Sequence, residues 1–447
     1  MLSLNHSRRD FLRTSVGLAG LTLPTYFKAT ASTTAPQRKA KSCIIVYTWG
    51  GMSHYESFDP KPEAPAEIRG EFKHIKTATP GIHFCEHLPM LAKHSDKLAI
   101  VRSVHHKHGG HGSAMYVNMT GHNPVGAKPK SNKNWPSLAS MMSYFHHPAA
   151  GTPRAIRMPY SMFDNGGQQS GEHGGWLGSQ YDPILVRTPA GEPWRGVNRY
   201  TDRELNLKLN LDKSRIADRR TLLTQLDNAR GEETAYKQLD HYSRMAADML
   251  LGSPVRDAYD LEKEDPKIRD LYGNHMGGQS LLLARRLVEA GVPVVQTLLS
   301  ASDLAGGSGD NWDTHRNHFP KMKDRLLPVF DRSVSALLTD LEMRGMLEET
   351  LVVFLTDFGR TPKVNGNGGR DHYPNVYSLA YAGGGIQGGQ VYGASNKKGT
   401  EPAAGACSPA DIHATAFRAM GIDPRTELHD QLDRPFQLCD GNPLPLF

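Results

Sequence analysis

Five apolar runs set the terms on which this chain can fold: "CIIVYTWGG" (43–51), "LAIVRSV" (98–104), "VPVVQTLLS" (292–300), "TLVVFLTDFG" (350–359) and "YSLAYAGGG" (377–385). They are continuous, without the apolar–polar alternation of a strand that shows one side to water. A strand that is apolar on both faces must be covered on both faces, as in a parallel sheet between helical layers. Helical or loop-rich sequence separates each run from the next. The expected fold is therefore α/β: a large, mostly parallel, doubly wound sheet sandwiched by helices. The 447 residues suffice for one such large domain or two ordinary ones.

The covering helices have their own signals. Over 319–345, Leu326, Leu327, Phe330, Val334, Leu337, Leu338 and Leu341 fall on one stripe. Residues 275–290 form a second helix, stopped by Gly291. The stretch 408–421 opens with Ser408 as cap and Pro409 at the first helical position, and Gly421 ends it. Residues 202–272 are charged and helical with few strand signals, which reads as a helical insertion on the sheet.

The N-terminus carries an address. "SRRDFLR" (7–13), a short weakly apolar segment and "ATA" (29–31) resemble a twin-arginine export signal over residues 1–31, of the kind that carries folded proteins across a membrane. The remaining 32–447 then form one domain in the periplasm or otherwise outside the cytoplasm. Residues 1–31 hold four cations against one carboxylate, so without them the formal charge falls from +6 to +3. Such a mild and dispersed charge argues against a nucleic-acid partner. No run of about 18 apolar residues offers a transmembrane helix. Cys43, Cys85, Cys407 and Cys439 include no CxxC pair, which argues against a cysteine zinc site and leaves disulfide pairing open.

Histidine is the outlier, with 21 residues, eight of them between His83 and His122. In open parallel sheets, ligands sit beyond the carboxyl ends of the strands. There the first run leads into "GGMSHYESFDP", the second into "HKHGGHGSAMYVNMTGH", the third towards "DNWDTH" and the fourth into "TDFGRTP" and "GGRDHYP". These loops bring His54, His108, His111, Asp313, His315, Asp357, Asp371 and His372 to one rim. Imidazole mixed with carboxylate suits zinc, manganese or iron, and such an ion polarises an ester oxygen. Each piece also has a plain structural reading. Asp313 and Asp357 can cap turns, "RDH" can be a surface salt bridge, and "HGGHG" a surface turn. Ser113 is a candidate nucleophile or an ordinary helix cap. Arg360 is a candidate anion holder or a structural salt bridge.

"GGMSHYESFDPKP", "HGGHGSAMYVNMTGH", "NWDTH", "TDFGRTPKVNGNGGRDHYP" and "SPADIHATAFRAMGI" together resemble an exported bacterial family of unknown function. That family is often labelled sulfatase-like and is placed within the alkaline phosphatase superfamily. The resemblance covers nearly the whole mature chain. It implies an alkaline-phosphatase-like α/β sandwich with a divalent metal (zinc, manganese or calcium) at the strand ends, and hydrolysis of sulfate or phosphate esters. Asp357 then resembles the aspartate of the superfamily's Asp-His pair, Asp313 and His315 the preceding ligands, and His372 the late histidine. The usual histidine after Asp357 is Phe358 here. The first strand ends in Gly50-Gly51 without an aspartate, leaving His54 as the stand-in. The sulfatase nucleophile position falls on His111, so the attacking group is Ser113 or a metal-bound hydroxide. The resemblance thus implies metal ligands His54, Asp313, His315, Asp357 and His372, and catalytic residues Ser113, His111 and Arg360. The substrate would be a small-molecule or glycan ester. The alternative is a non-catalytic exported protein on the same fold that recognises an anionic glycan or a protein partner.

Overall fold

The computed structural model describes residues 40–149, 151–164, 167–187, 254–300, 311–430 and 432–447. The expected export signal and most of the 202–272 insertion lie outside these residues.

Strand β1 (Ser42–Thr48) lies within an eight-stranded sheet. The others are β2 (Leu98–Val104), β3 (Ala155–Met158), β4 (Ile184–Leu185), β5 (Val294–Leu298), β6 (Thr350–Thr356), β7 (Tyr377–Ala382) and β8 (Gln390–Tyr392). Their spatial order is β8-β2-β7-β6-β1-β5-β3-β4. β1 runs parallel to β6 and β5, β5 to β3, β3 to β4, and β8 to β2. The sheet is thus mixed but mostly parallel, with helices on both faces.

The exception is β7, antiparallel to both β6 and β2. The run at 377–385 thus departs from the parallel arrangement that its continuous apolar pattern predicts. β6 delivers the chain to the edge that carries the site loops, residues 357–376 stay at that edge, and the returning strand must run the other way. Gly383, Gly384 and Gly385 then turn at positive φ, so the strand proper stops at Ala382.

Side-chain alternation along β1 explains its double apolar face. Ile44 and Val46 enter one core, while Cys43, Ile45 and Tyr47 enter the other. Each fully buried aliphatic contributes about 1.5–3 kcal/mol, so leaving either face open would be costly. The first core is closed by α3 (Met276–Glu289) and α4 (Leu327–Met343), whose Leu281, Leu282, Phe330, Val334 and Leu337 sit beneath the sheet. The second is closed by α1 (His111–Thr120), α2 (Leu138–Phe145) and α5 (Pro409–Ala419) through Met115, Met119, Met142, Ile412 and Phe417. Ser408 and Asp411 form a reciprocal capping box at the start of α5. The four cysteines are buried free thiols.

The register sets the site. Thr48 lies opposite Thr356, and Tyr47 opposite Leu298, so β1, β5 and β6 end nearly level. The loops after them, and the one after β2, therefore leave the sheet along one edge.

Candidate metal centre

Asp357 follows β6 directly and is fully buried. Its Oδ1 accepts from the Tyr47 hydroxyl at 2.5 Å, and its Oδ2 from the Gly50 amide at 3.0 Å and His111 Nδ1 at 2.6 Å. Its own carbonyl accepts from His106 Nε2 and Asn118 Nδ2. The position expected to bind a cation is instead occupied in orienting His111.

His111 opens α1 and is 6 % exposed. With Nδ1 donating to Asp357, Nε2 is the atom that faces the cluster, and it offers a lone pair once the proton it holds in the metal-free ring has left. That buried Nε2 has no hydrogen-bond partner. It lies 3.5 Å from Asp313 Oδ1, too far for a good hydrogen bond. His372 repeats the arrangement. Its Nδ1 donates to the Gly109 carbonyl at 2.7 Å, and its Nε2 lies 3.2 Å from Asp313 Oδ1. His315 does so again. Its Nδ1 donates to Asp371 at 2.6 Å, and its Nε2 lies 3.1 Å from Asp313 Oδ1.

Three imidazoles, each with Nδ1 tied to an oxygen, therefore turn Nε2 towards one carboxylate oxygen. Backing a ligating histidine through its other nitrogen fixes ring and tautomer as a metal site requires. His315 Nε2 and His372 Nε2 are 2.9 Å apart. With both Nδ1 atoms donating, a single proton or cation between the two Nε2 atoms satisfies both rings. Two ligands on a tetrahedral ion with bonds of about 2.0–2.1 Å lie about 3.3 Å apart. The distances of 3.1, 3.2 and 3.5 Å to Asp313 Oδ1 match that spacing. Ligand atoms of His111, Asp313 and His372 fall within 4.8 Å of one another.

Charge supports the same focus. Burial works against the charge on Asp313, but the facing His111 and His372 imidazoles and the adjacent Arg360 guanidinium outweigh it. They hold the carboxyl well below the ordinary range. Burial likewise pushes His111 down, but Asp313 and Asp357 more than reverse this and carry it up to about 9.

The other expected residues lie differently. Arg360 is fully buried. It donates to the carbonyls of Gly50, Gly51, Trp312 and Arg370 and to Asp313 Oδ1 at 2.7 Å. Its donors are directed inward, so it clamps Asp313 and is not free to hold a substrate anion. Ser113 Oγ donates to the Gly110 carbonyl one turn back, an ordinary helix contact, and the described contacts give it no base. His54 stands apart from the cluster: it is 1 % exposed and its Nε2 meets the Gly399 carbonyl at 3.0 Å. Burial lowers it to about 4. His108 bonds Asn123 at 2.9 Å.

Gly50 shows why no aspartate follows the first strand. Its φ is +107°, and a Cβ there would lie 2.4 Å from the Asp313 amide nitrogen. The loop bearing Asp313 rests directly on this backbone, which leaves no space for a side chain. Phe358, in place of a histidine, is buried with its ring 4.3 Å from that of His372 and 5.1 Å from that of His111. It walls the cluster with apolar surface.

Beneath lies an ion-pair network that the sequence did not disclose. Glu56, 1 % exposed, accepts from fully buried Arg370 at 2.7 Å and meets His318 Nε2 at 3.0 Å. Arg370 also donates to the carbonyls of Thr361, Pro362 and Ile68. His318 Nδ1 meets Thr314 Oγ1 at 2.7 Å. This network fastens the loops after β1 and β6 to the "WDTH" segment. Nothing local to "SHYESF" or "GGRDH" marks Glu56 or Arg370 as partners.

Fold and site together define an α/β protein with a histidine–carboxylate cluster at the carboxyl edge of its sheet. The chain belongs to the family described as "Protein of unknown function (DUF1501)", whose model matches residues 40–445. Comparison with curated proteins finds no match. Among solved structures, the chain is similar to the PsFucS1 sulfatase from Pseudoalteromonas sp., at 14 % identity and a TM-score of 0.37, covering 86 % of this chain and 68 % of that one. It is also similar to the phosphonate monoester hydrolase SpPMH from Silicibacter pomeroyi, at 11 % identity and a TM-score of 0.40, covering 90 % and 76 %. For the lipoteichoic acid synthase LtaP from Listeria monocytogenes the values are 10 %, 0.37, 90 % and 76 %.

Proposed function

We propose that this protein is an exported, metal-dependent hydrolase of sulfate or phosphate esters. The observation that carries the reading is the convergence of three oriented imidazole Nε2 atoms on Asp313 Oδ1. His111, Asp313 and His372 hold the ion. His315, 40 % exposed and hinged on half-exposed Asp371, stands at the solvent side where an ester would enter. Nitrogen-rich donors of this kind fit zinc, manganese or iron, whereas calcium takes six to eight oxygens. A bound ion supplies Lewis-acid polarisation of an ester oxygen. Asp357, held by Tyr47 and Gly50, keeps the His111 ring in position, and Arg360 keeps Asp313 in position. Phe358 excludes water from the inner wall. With Ser113 engaged by Gly110, the attacking group in this reading is water. The paired arginines Arg8 and Arg9 support the export assignment.

The same cluster without a placed nucleophile also suits the second reading, a metal-bearing protein that binds an anionic glycan or an exported partner without turnover. Elemental analysis of the purified chain combined with a panel of aryl sulfates and phosphates separates the two. Bound metal with turnover that is lost in Asp313→Asn and His372→Ala supports the hydrolase. Bound metal with no turnover across the panel refutes it and leaves the binding protein.

A further inference from the structure

Charge in this chain is segregated in a way the metal centre does not use. Between Asp96 and Asp164 there is no aspartate or glutamate, while Lys97, Arg102, Lys107, Lys128, Lys130, Lys133, Arg154 and Arg157 fall in that span. Four of the eight are engaged. Lys97 pairs with Asp96 and Glu342, Arg102 with Asp59 and Arg157 with Glu172, and Arg154 lies over the Tyr181 ring. Lys107, Lys128, Lys130 and Lys133 are exposed and make no ion pair among the described residues. Asp440 reaches His122 at 3.9 Å on this side without pairing with any of the four.

These lysines are connected to the cluster. Lys107 and His108 precede Gly109, whose carbonyl holds His372. His108 Nε2 meets Asn123 Oδ1 at 2.9 Å, and the loop from Asn123 carries the other three lysines. That loop is shaped around Asn134, only 5 % exposed. Its side chain donates to the Lys128 carbonyl at 2.6 Å and accepts from the Lys128 amide at 3.3 Å. The Asn134 carbonyl in turn accepts from Trp176 N at 3.0 Å. Trp135, half-buried beside Lys133, is stacked on His122 at 3.4 Å. A loop already ordered in this way loses little further backbone entropy when it binds. Unpaired lysines give it a strong preference for clustered negative charge.

We propose that this lysine loop is an exosite for a polyanionic glycan, a polysaccharide carrying several sulfate or phosphate groups, whose chain runs from the metal centre across Lys107 to Lys128, Lys130 and Lys133. The inference rests on the ester-hydrolase reading for the identity of the group at the centre. A glycan fits better than a lipid surface, because Val125 is the large apolar side chain this loop exposes, and stable membrane docking needs a broader apolar face.

Binding of the full chain to dextran sulfate and to neutral dextran, measured at about 0.1 M salt where exposed charges still act over about 10 Å, tests the proposal. The wild type is expected to bind dextran sulfate with a strong salt dependence and to ignore neutral dextran. Lys128→Gln/Lys130→Gln/Lys133→Gln should weaken binding about a hundredfold with an unchanged Tm, since each lysine near an anionic surface is worth about a fivefold change. Binding by the triple variant within about twofold of wild type overturns the proposal. Tighter binding to anionic phospholipid vesicles or duplex DNA than to dextran sulfate also overturns it. The two ideas fail separately. Turnover of a small aryl ester without dextran sulfate binding removes only the exosite, and dextran sulfate binding without turnover removes only the hydrolase.

Discussion

Raising the pH from 6.5 to 9 in the presence of a chelator should cost the metal-free protein about 3 kcal/mol of stability through His111 alone. The figure follows from its surroundings. Burial pushes the ring down, but Asp313 and Asp357 lie on its two nitrogens and hold it at about 9, against 6.5 for an ordinary histidine. At about 1.4 kcal/mol per pH unit, that difference corresponds to about 3 kcal/mol. The folded chain holds this proton more tightly than the unfolded one. The stabilisation is therefore complete below about pH 6.5 and lost as the pH rises through 9. Urea unfolding of the chelated wild type and of His111→Gln at pH 6.5, 8 and 9 measures it, and the variant should lack this slope. Added zinc should flatten the wild-type slope, because the ion takes the place of the proton. Zinc affinity should then rise about tenfold per pH unit across the window. Identical pH slopes for wild type and His111→Gln would refute the placement of a charged His111 between two carboxylates.

Asp357→Asn should keep the fold but weaken metal binding about 10–100-fold, because the His111 ring loses its anionic anchor; calorimetric titration with unchanged affinity would contradict this. At acid pH the expectation has the opposite sign to that for His111. Burial lowers His54, His106, His122, His275 and His413 to about 4, so they stay neutral in the fold while the unfolded chain takes up protons below about 6.5. Unfolding free energy should therefore fall as pH drops from 6.5 towards 4, and a flat profile over that range would count against it. Glu56→Gln leaves Arg370 buried without its charge partner and should cost about 3–5 kcal/mol by urea unfolding; a cost under about 1 kcal/mol would show the network to be dispensable. Gly50→Ala combines a positive φ with a Cβ 2.4 Å from the Asp313 amide nitrogen, so it should lower stability by about 1–3 kcal/mol and reduce metal uptake together. Wild-type uptake in that variant would mean that the Asp313 loop does not depend on this contact.

What could be read from the residues followed from periodicity and punctuation. The apolar runs at 43–51 and 350–359 became β1 and β6 because a strand buried on both faces has few alternatives. The stripe at 319–345 became α4 together with the turns before it. Ser408 and Pro409 marked the start of α5 correctly. The direction of β7 was not legible, since it depends on where residues 357–376 leave and rejoin the sheet. β3, β4 and β8 carry no such signal, because strands of four, two and three residues have almost no period. At the site, the placement of loops after strand ends pointed to His111, Asp313, His315 and His372 as neighbours along one edge. It could not rank their roles. Asp357 and Arg360 turned inward, towards His111 and Asp313, for reasons that lie in Tyr47, Gly50 and Gly51 hundreds of residues away. His54 is held by the Gly399 carbonyl, and backbone acceptors of this kind leave no mark in a sequence.

X-ray absorption spectroscopy on the zinc-loaded full chain tests the central claim most directly. About one tightly held zinc is expected, with nitrogen and oxygen neighbours at about 2.0–2.1 Å and multiple-scattering features from imidazole. Those features should diminish in His372→Ala. A shell of oxygens alone, or a spectrum unchanged by removing His372, would place the ion elsewhere and contradict the assignment of this cluster as a metal centre.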